Sequence, residues 1–455
     1  MAIAFLNARS NALAAALAFG LAAAICVTEA AAERLADAVR AALRRNPEVL
    51  AAAANARASI DAYDQAAAGR FPVVDVRMGG GKEESDNVAL RAAGIGTRTL
   101  SRQEGSLTLR QNVYDGAQVR SDMENRSFRV ESARSRLSET AETVGLRVAE
   151  AYLDSLRDQG LVRLAEDNVA RHEEVLGKTA LRFKSGVGQR ADVEQAEARV
   201  ALARSNLVGA RGAAEDSAAR YYRVVGRNPS GLSEPEVPAK HLPQSLDSAK
   251  AEATGNSYGV KSARAELSAA QAAVRSVRAD LLPRVDVELS ASRNRDIDGI
   301  IGPNYDNMAM LVMRYNLFRG GADQARTRET AQRESVALET VNNALLATEE
   351  SVARTWAARL TARDRLPPLE AHARASGQVL QAYRDQFELG RRSLLDLVNA
   401  ENELFQARSA LFSGQTAARL ADIRLLVAVG ALVRALGLVD EVMQLDPGPA
   451  DRPDR

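Results

Sequence analysis

The residues best suited to catalysis or metal ligation are few and badly spaced for either. His172, His241 and His372 are scattered, and none has a second donor at the short spacing a metal site needs. Gly79-Gly80-Gly81 lacks the downstream Gly-Lys-Ser/Thr of a phosphate loop, and no Gly-x-Ser-x-Gly elbow is present. A single cysteine, Cys26, offers no disulfide. The expectation is a protein that is not an enzyme, with no catalytic residue, cofactor or metal. What remains is charge. Most carboxylates stand beside arginines on helical stretches, where solvated ion pairs are the ordinary reading. Asp192 and Asp396 differ, because each follows a glycine, Gly186 or Gly390, by six residues. Glycines of this kind end long helices, which places both carboxylates near the tips of helical hairpins, at the starts of the return helices. The bland role there is to stabilise a helix dipole; repeated about an axis in an oligomer, the same carboxylates would form a negatively charged ring.

The two carboxylates belong to a duplication. Phe183-x-x-Gly186-x5-Asp192-x3-Ala196-Glu197 recurs, 204 residues later, as Phe387-x-x-Gly390-x5-Asp396-x3-Ala400-Glu401. The same offset maps Arg110, Asn112, Val113, Tyr114 and Gly116 onto Arg314, Asn316, Leu317, Phe318 and Gly320. So long a period implies two large units packed side by side rather than a solenoid. Prolines mark the boundaries, since a proline inside a helix costs about 3 kcal/mol. Pro229, Pro235, Pro238 and Pro243 form a linker over 229–243, between repeats at 33–228 and 244–439. The tail 440–455 is expected to be disordered.

Composition narrows the class. Aromatic residues make up 4% of the chain and charged residues 26%, with Ala, Arg, Glu and Leu abundant, which favours long packed helices over compact aromatic cores. The 60 Lys+Arg nearly cancel the 59 Asp+Glu, so no basic field is available for nucleic acid. Residues 1–32 read as a cleaved export signal: Arg9, an apolar run over 12–27, then Ala30-Ala31-Ala32. That run is too short for a membrane anchor, which needs about 20 apolar residues. Ile25 before Cys26 argues against lipidation.

These constraints specify the elements that must carry the tip charges. Apolar residues recur at helical spacing through 117–185 (Val130, Ala133, Leu137, Ala141, Val144, Val148, Leu153, Leu156) and again through 321–389. Each stretch would be about 100 Å long as one helix, and such helices must coil against neighbours. Pro367-Pro368 predicts a kink in the second alone. Four segments alternate with period two instead: Val74, Val76 and Met78 against Asp75 and Arg77; Leu107, Leu109 and Val113 against Arg110 and Asn112; Val285, Val287 and Leu289 against Asp286 and Glu288; Leu311, Met313 and Leu317 against Arg314 and Asn316. Stretches 79–105 and 293–306 are expected as hairpin loops. A small antiparallel sheet over a helical core would explain the strands, but charged polar faces and aromatic-poor apolar faces also suit a membrane barrel. Four strands cannot close one, and hydrocarbon tolerates no open edge, so several subunits would have to share it, three giving twelve strands.

With these features together, the chain closely resembles the TolC family of outer-membrane channel proteins, over essentially the whole mature length. The residues that carry the resemblance are Asn46-Pro47-Glu48, Phe71-Pro72, Leu282-Pro283, the run Gln111 to Gly116, and the run Gly390 to Ala400. The resemblance implies a mainly α protein with a small transmembrane β portion: a homotrimer whose shared barrel crosses the outer membrane and continues as a helical tunnel through the periplasm. It implies an adaptor and an inner-membrane ABC transporter or proton-driven pump meeting the hairpin tips. Phe183, Gly186, Gly188, Gly390 and Ser393 would dock the adaptor; Asp192, Phe387, Arg392, Asp396 and Asn399 would gate the entrance; Arg110, Asn112, Arg314 and Asn316 would face the barrel lumen. The family's best-known member has Tyr at the position of Phe387 and Asp at that of Asn399, so one closed-state hydrogen bond is unavailable here and the entrance carries fewer negative charges. Pro367-Pro368 and the stretch 182–193 look most like members paired with type I secretion systems, including exporters of large adhesins; the alternatives are a multidrug efflux channel and a non-conducting periplasmic coiled-coil tether.

Overall fold

The computed structural model of the chain describes residues 33–235 and 239–446. The expected export signal over 1–32, with Cys26, lies outside the described residues, as does Pro238 of the linker. In chain order the elements are α1 (Leu35–Arg45), α2 (Pro47–Ala68), β1 (Val73–Ser85), α3 (Val88–Ala92), β2 (Arg98–Tyr114), α4 (Gln118–Lys184) and α5 (Arg190–Val225). A short 3-10 turn (Ala239–His241) precedes α6 (Leu246–Asn256), α7 (Tyr258–Ala279), β3 (Arg284–Arg295), β4 (Pro303–Arg314), α8 (Ala322–Asp364) and α9 (Leu366–Glu388). The chain ends with α10 (Leu394–Ala428), α11 (Leu432–Ala435) and α12 (Val439–Leu445). The order helix, strand, strand, long helix, return helix occurs twice. Two compact units are distinguishable, and each takes segments from both sequence repeats.

One unit comprises residues up to Leu50, Thr140–Ala253 and Glu350–Gln444. Its centre is made where the apolar stripe of α4 meets α1, α5 and α10: Val39, Leu43, Val144, Val148, Leu153, Ile423, Leu425 and Leu426 are buried. Tyr152 and Tyr221 are fully buried with ring centroids 6.3 Å apart. Their hydroxyls need partners there, and the segment at Glu33 supplies them. Tyr152 Oη lies 2.6 Å from the Glu33 carbonyl, Tyr221 Oη donates to Glu33 Oε1 at 2.6 Å, and Arg227 pairs with the same carboxylate. Glu33 and Leu232 form a parallel bridge, which ties the start of α1 to the chain after α5.

The helix from 118 continues unbroken to Lys184, whereas its counterpart divides at Arg365 into α8 and α9. Pro367 and Pro368 cannot donate to the carbonyls one turn earlier, and the break is where that ladder would have run. The disordered tail expected over 440–455 is not seen in its first part, where α12 is helical through Leu445 and Glu441 pairs with Arg40 and Arg44; residues 447–455 lie outside the described residues. Those ion pairs and the burial of Val442 hold what polar composition alone would release.

The other unit, from Ala51–Glu139, Thr254–Glu349 and the chain from Leu445, contains a four-stranded antiparallel sheet in the order β1-β2-β3-β4. Register places Asp75, Arg77, Arg102, Glu104, Arg110, Asn112, Asp286, Glu288 and Arg314 on one face. Val74, Val76, Met78, Leu107, Leu109, Val287, Leu289, Leu311 and Met313 share the other. The strands run past the expected loops: Gly79-Gly80-Gly81 pairs with Glu104, Gln103 and Arg102, so the connections shrink to 86–97 and 296–302. The ladder is a backbone interaction and accepts glycine where the side-chain pattern reads as loop. Gly116, at φ 66°, turns the chain from β2 into α4, and a Cβ there would lie 2.9 Å from Leu282. Asp115 then caps α4 by accepting from the backbone N–H groups of Gln118 and Val119.

In the first unit Glu142 is buried, and its oxygens accept the backbone N–H groups of Leu432 and Val433 at 3.1 Å each. Desolvation, only partly offset by those two bonds, pushes its carboxyl up to about 7. The folded state therefore holds its proton more tightly than the unfolded chain, so this contribution to stability is full at acid pH and is lost as pH rises from about 4.5 through about 7. Thermal unfolding of the detergent-solubilised protein should show a decline on the order of 1–3 kcal/mol between pH 5 and 8 that Glu142→Gln removes. An equal decline in the variant would assign it to other groups.

Candidate functional site

Both hairpin turns fold as the glycine spacing predicts. At the first, Val187 N–H donates to Arg182 O and Gly186 N–H to Phe183 O, each at 3.0 Å, with Gly186 at φ 77°. At the second, Arg391 N–H donates to Gln386 O at 2.8 Å and Gly390 N–H to Phe387 O at 3.0 Å, with Gly390 at φ 71°. This paired pattern satisfies the last helical carbonyls and requires a left-handed residue at the turn. Asp192 and Asp396 each fall in the first turn of the return helix. Ser393 caps α10 by accepting from Asp396 N–H, and its hydroxyl donates to Asp396 Oδ2 at 2.8 Å. Gln189 precedes α5 without a side-chain cap.

The two turns lie within one unit and are joined by a small apolar cluster. Val175 on α4, Ala196 on α5, Leu380 and Phe387 on α9, and Leu394, Leu397, Val398 and Leu404 on α10 are buried together, with Tyr383 packed against them. Phe387 is 7% exposed, so the expected gate position is a core position in the protomer. Arg182, from the other hairpin, covers it: the guanidinium lies 4.9 Å from the ring centroid, and Nη1 donates to Phe387 O at 3.1 Å. Lys178 adds an ion pair to Glu388 at 2.9 Å. Neither Arg182 nor Lys178 stands out in the sequence, because on the surface of a long charged helix their contacts depend on which hairpin is the neighbour.

Arg392 turns back on its own hairpin. Its guanidinium sits 3.9 Å from the Tyr383 ring centroid, and Nε approaches Asp396 Oδ2 at 3.5 Å, an ion pair without hydrogen-bond geometry. Asn399, one turn beyond Asp396, accepts a hydrogen bond from Arg199 Nη2 at 3.2 Å. Among the described residues the Asp192 side chain takes no ion pair, and Phe183, Gly186 and Gly390 are exposed at the turns, with Leu181, Val187 and Leu389 more exposed than Phe183. Gly188 passes so close to its own turn that a Cβ would lie 3.0 Å from Phe183 N. Deeper between the hairpins, Glu401 is buried and paired with Arg384 at 2.7 Å. His172, also buried, is held below the ordinary imidazole range by desolvation.

In the sheet-bearing unit, three of the four expected lumen residues converge. Asp286 accepts from Asn112 Nδ2 at 3.0 Å and pairs with Arg314 at 2.9 Å and Arg284 at 3.1 Å, while Glu288 is the cross-strand partner of Arg110. Asn316 is not among them. It lies past the end of β4, and its Nδ2 donates to Asp323 Oδ2 at 2.8 Å at the start of α8, because the chain has already turned out of the ladder. The opposite face of the sheet stays open: Val76 is 65%, Met78 83% and Leu311 69% exposed. β1 and β4 are its edges, each paired on one side among the described residues. No described helix is long and apolar enough to cross a membrane. No group of three or more His, Cys, Asp or Glu among the described residues could hold a metal ion.

The chain matches the model of the outer membrane efflux protein family over 38–227 and 251–431. It is 27% identical to the outer membrane efflux protein BepC of Brucella suis over 346 residues, 75% of each chain. It is 24% identical to the alkaline protease secretion protein AprF of Pseudomonas aeruginosa over 273 residues, 58% of this chain and 57% of that one. The fold is that of the CmeC outer membrane channel of Campylobacter jejuni, with a TM-score of 0.75 over 92% of this chain and 91% of that one at 13% identity.

Gly186→Ala and Gly390→Ala test the turns by strain alone, because a Cβ meets nothing within 4 Å at the first and only Arg182 Nη2 at 3.9 Å at the second. Each should lower stability by about 1–2 kcal/mol in chemical denaturation. A neutral result would mean that the left-handed turn is not retained in solution.

Proposed function

Because the chain belongs to the outer membrane efflux protein family, a family of channels rather than enzymes, and is an outer-membrane channel of Gram-negative bacteria, we propose that it is the exit duct of a tripartite type I protein secretion machine. The observation that carries the reading is the sheet, with one charged face, one exposed apolar face and two open edges. A strand edge in hydrocarbon needs a partner, and another copy of the same sheet supplies one. Three copies close a barrel of twelve strands with the apolar faces toward lipid and the Asp286 cluster toward water. A periplasmic tether would need neither face, and family membership sets that alternative aside.

The hairpin tips are then the periplasmic entrance. Asp192, Arg392 and Asp396, with the amide of Asn399, form its polar rim, and the exposed turns at Phe183, Gly186, Gly390 and Ser393 receive an adaptor joined to an inner-membrane ABC transporter. The Tyr hydroxyl missing at Phe387 is replaced by Arg182, which spans the two hairpins through the ring and the carbonyl of Phe387. Secretion of proteins, large adhesins among them, is favoured by the proline break at Pro367-Pro368 and the turn sequence 182–193, and AprF is named for secretion of a protease. A second reading, multidrug efflux with a proton-driven pump, is favoured by BepC, which is named an efflux protein.

Two measurements test these statements. Purified protein in a planar bilayer should give discrete openings, and Arg392→Ser or Arg182→Ala should raise the open fraction and the uptake of large antibiotics by cells; unchanged permeability in normally assembled protein would remove both residues from the gate. A deletion strain should lose one or more large proteins from its culture medium while keeping its drug susceptibility. The converse outcome would establish efflux.

A further inference from the structure

The tip charges do not balance evenly, and Arg199 is a cation without a carboxylate partner among the described residues, held in place by a hydrogen bond to the other hairpin. It lies on α5, seven residues and about two turns beyond Asp192. Its Nη2 donates to Asn399 Oδ1 on α10 at 3.2 Å. Among the described residues no carboxylate lies within ion-pair distance of its guanidinium. The acids nearest Asn399 along α10 are otherwise engaged: Asp396 with Arg392 and Ser393, Glu401 with Arg384 and Arg171, Glu403 with His372. A neutral amide thus orients an uncompensated positive charge one turn beyond Asp396, between the return helices of the two hairpins.

We propose that Arg199 sets the charge selectivity of the periplasmic entrance, weakening the preference for cations that Asp192 and Asp396 would otherwise impose. The proposal rests on the reading that the tips ring the entrance. In a trimer every guanidinium is repeated about the axis, so three fixed positive charges stand beside the carboxylates at the narrow end, where fields act directly on passing ions. The consequence for cargo is an entrance that does not hold basic segments as a purely acidic ring would.

The test is the reversal potential of the full-length protein, processed and purified from the outer membrane, in a planar bilayer under a KCl gradient. Arg199→Gln keeps a donor for Asn399 and removes the charge; it should raise the potassium-to-chloride permeability ratio at least about twofold at 0.1 M salt, less at 1 M where screening is shorter. Arg199→Lys should keep the wild-type ratio. Asn399→Asp should change the ratio less alone than together with Arg199→Gln, because the guanidinium neutralises a carboxylate placed beside it. If Arg199→Gln does not assemble, the contrast moves to Asn399→Asp, whose carboxylate cancels the guanidinium and should raise the ratio about as far as Arg199→Gln would, against Asn399→Gln, which should keep the wild-type ratio. Openings with a ratio indifferent to charge at 199 and 399 would overturn the role of Arg199 and leave the channel standing. Absence of openings in the wild type would overturn the channel reading and this inference with it.

Discussion

Backbone amides cannot be left unpaired in hydrocarbon, and the sheet of this protein is built around that constraint. Its four strands satisfy one another internally through continuous antiparallel ladders but leave β1 and β4 open. Here the strands present an exposed row of Val, Leu and Met on one face and a network of Asp, Glu and Arg on the other. That combination is stable only where lipid meets the first face, water meets the second and another strand meets each edge. The need for further copies is therefore a property of a single chain.

The hairpin tips obey a different economy. Their turns are closed by local backbone bonds that depend on two glycines, while the hairpins meet through one small apolar cluster and a few ionic and cation–π contacts. Exposed contacts of this kind contribute about 1 kcal/mol or less each. The Glu33–Tyr152–Tyr221 node and the buried aliphatic residues around it are, by contrast, fully enclosed. Hairpin tips joined largely by such contacts can be rearranged at modest cost in free energy, whereas a deeply packed region has no such freedom.

Much of this was legible in the sequence because the relevant signals are local. The 204-residue repeat, the helix ending at Gly186, the proline break before Pro367 and the alternating strand faces all follow from the period or conformational limits of nearby residues. Where the pattern weakens the reading falls short: polar, glycine-rich strand ends read as loops although their backbones pair, and the ion pairs of Glu441 extend helix into an expected tail. Asn316 shares the repeat position of Asn112 but not its partner, since repetition of sequence does not fix where a strand stops.

The sequence by itself determined the family, the order of the elements and the location of the turns, because periodicity, glycine and proline act within a few residues. Only the tertiary structure decided which charges meet. Arg182 over Phe387, Arg199 on Asn399, Arg392 folded onto Tyr383 and the convergence on Asp286 join residues from separate elements, most of them far apart in the chain. A long charged helix offers an arginine on every side, and only packing chooses the one that finds a partner.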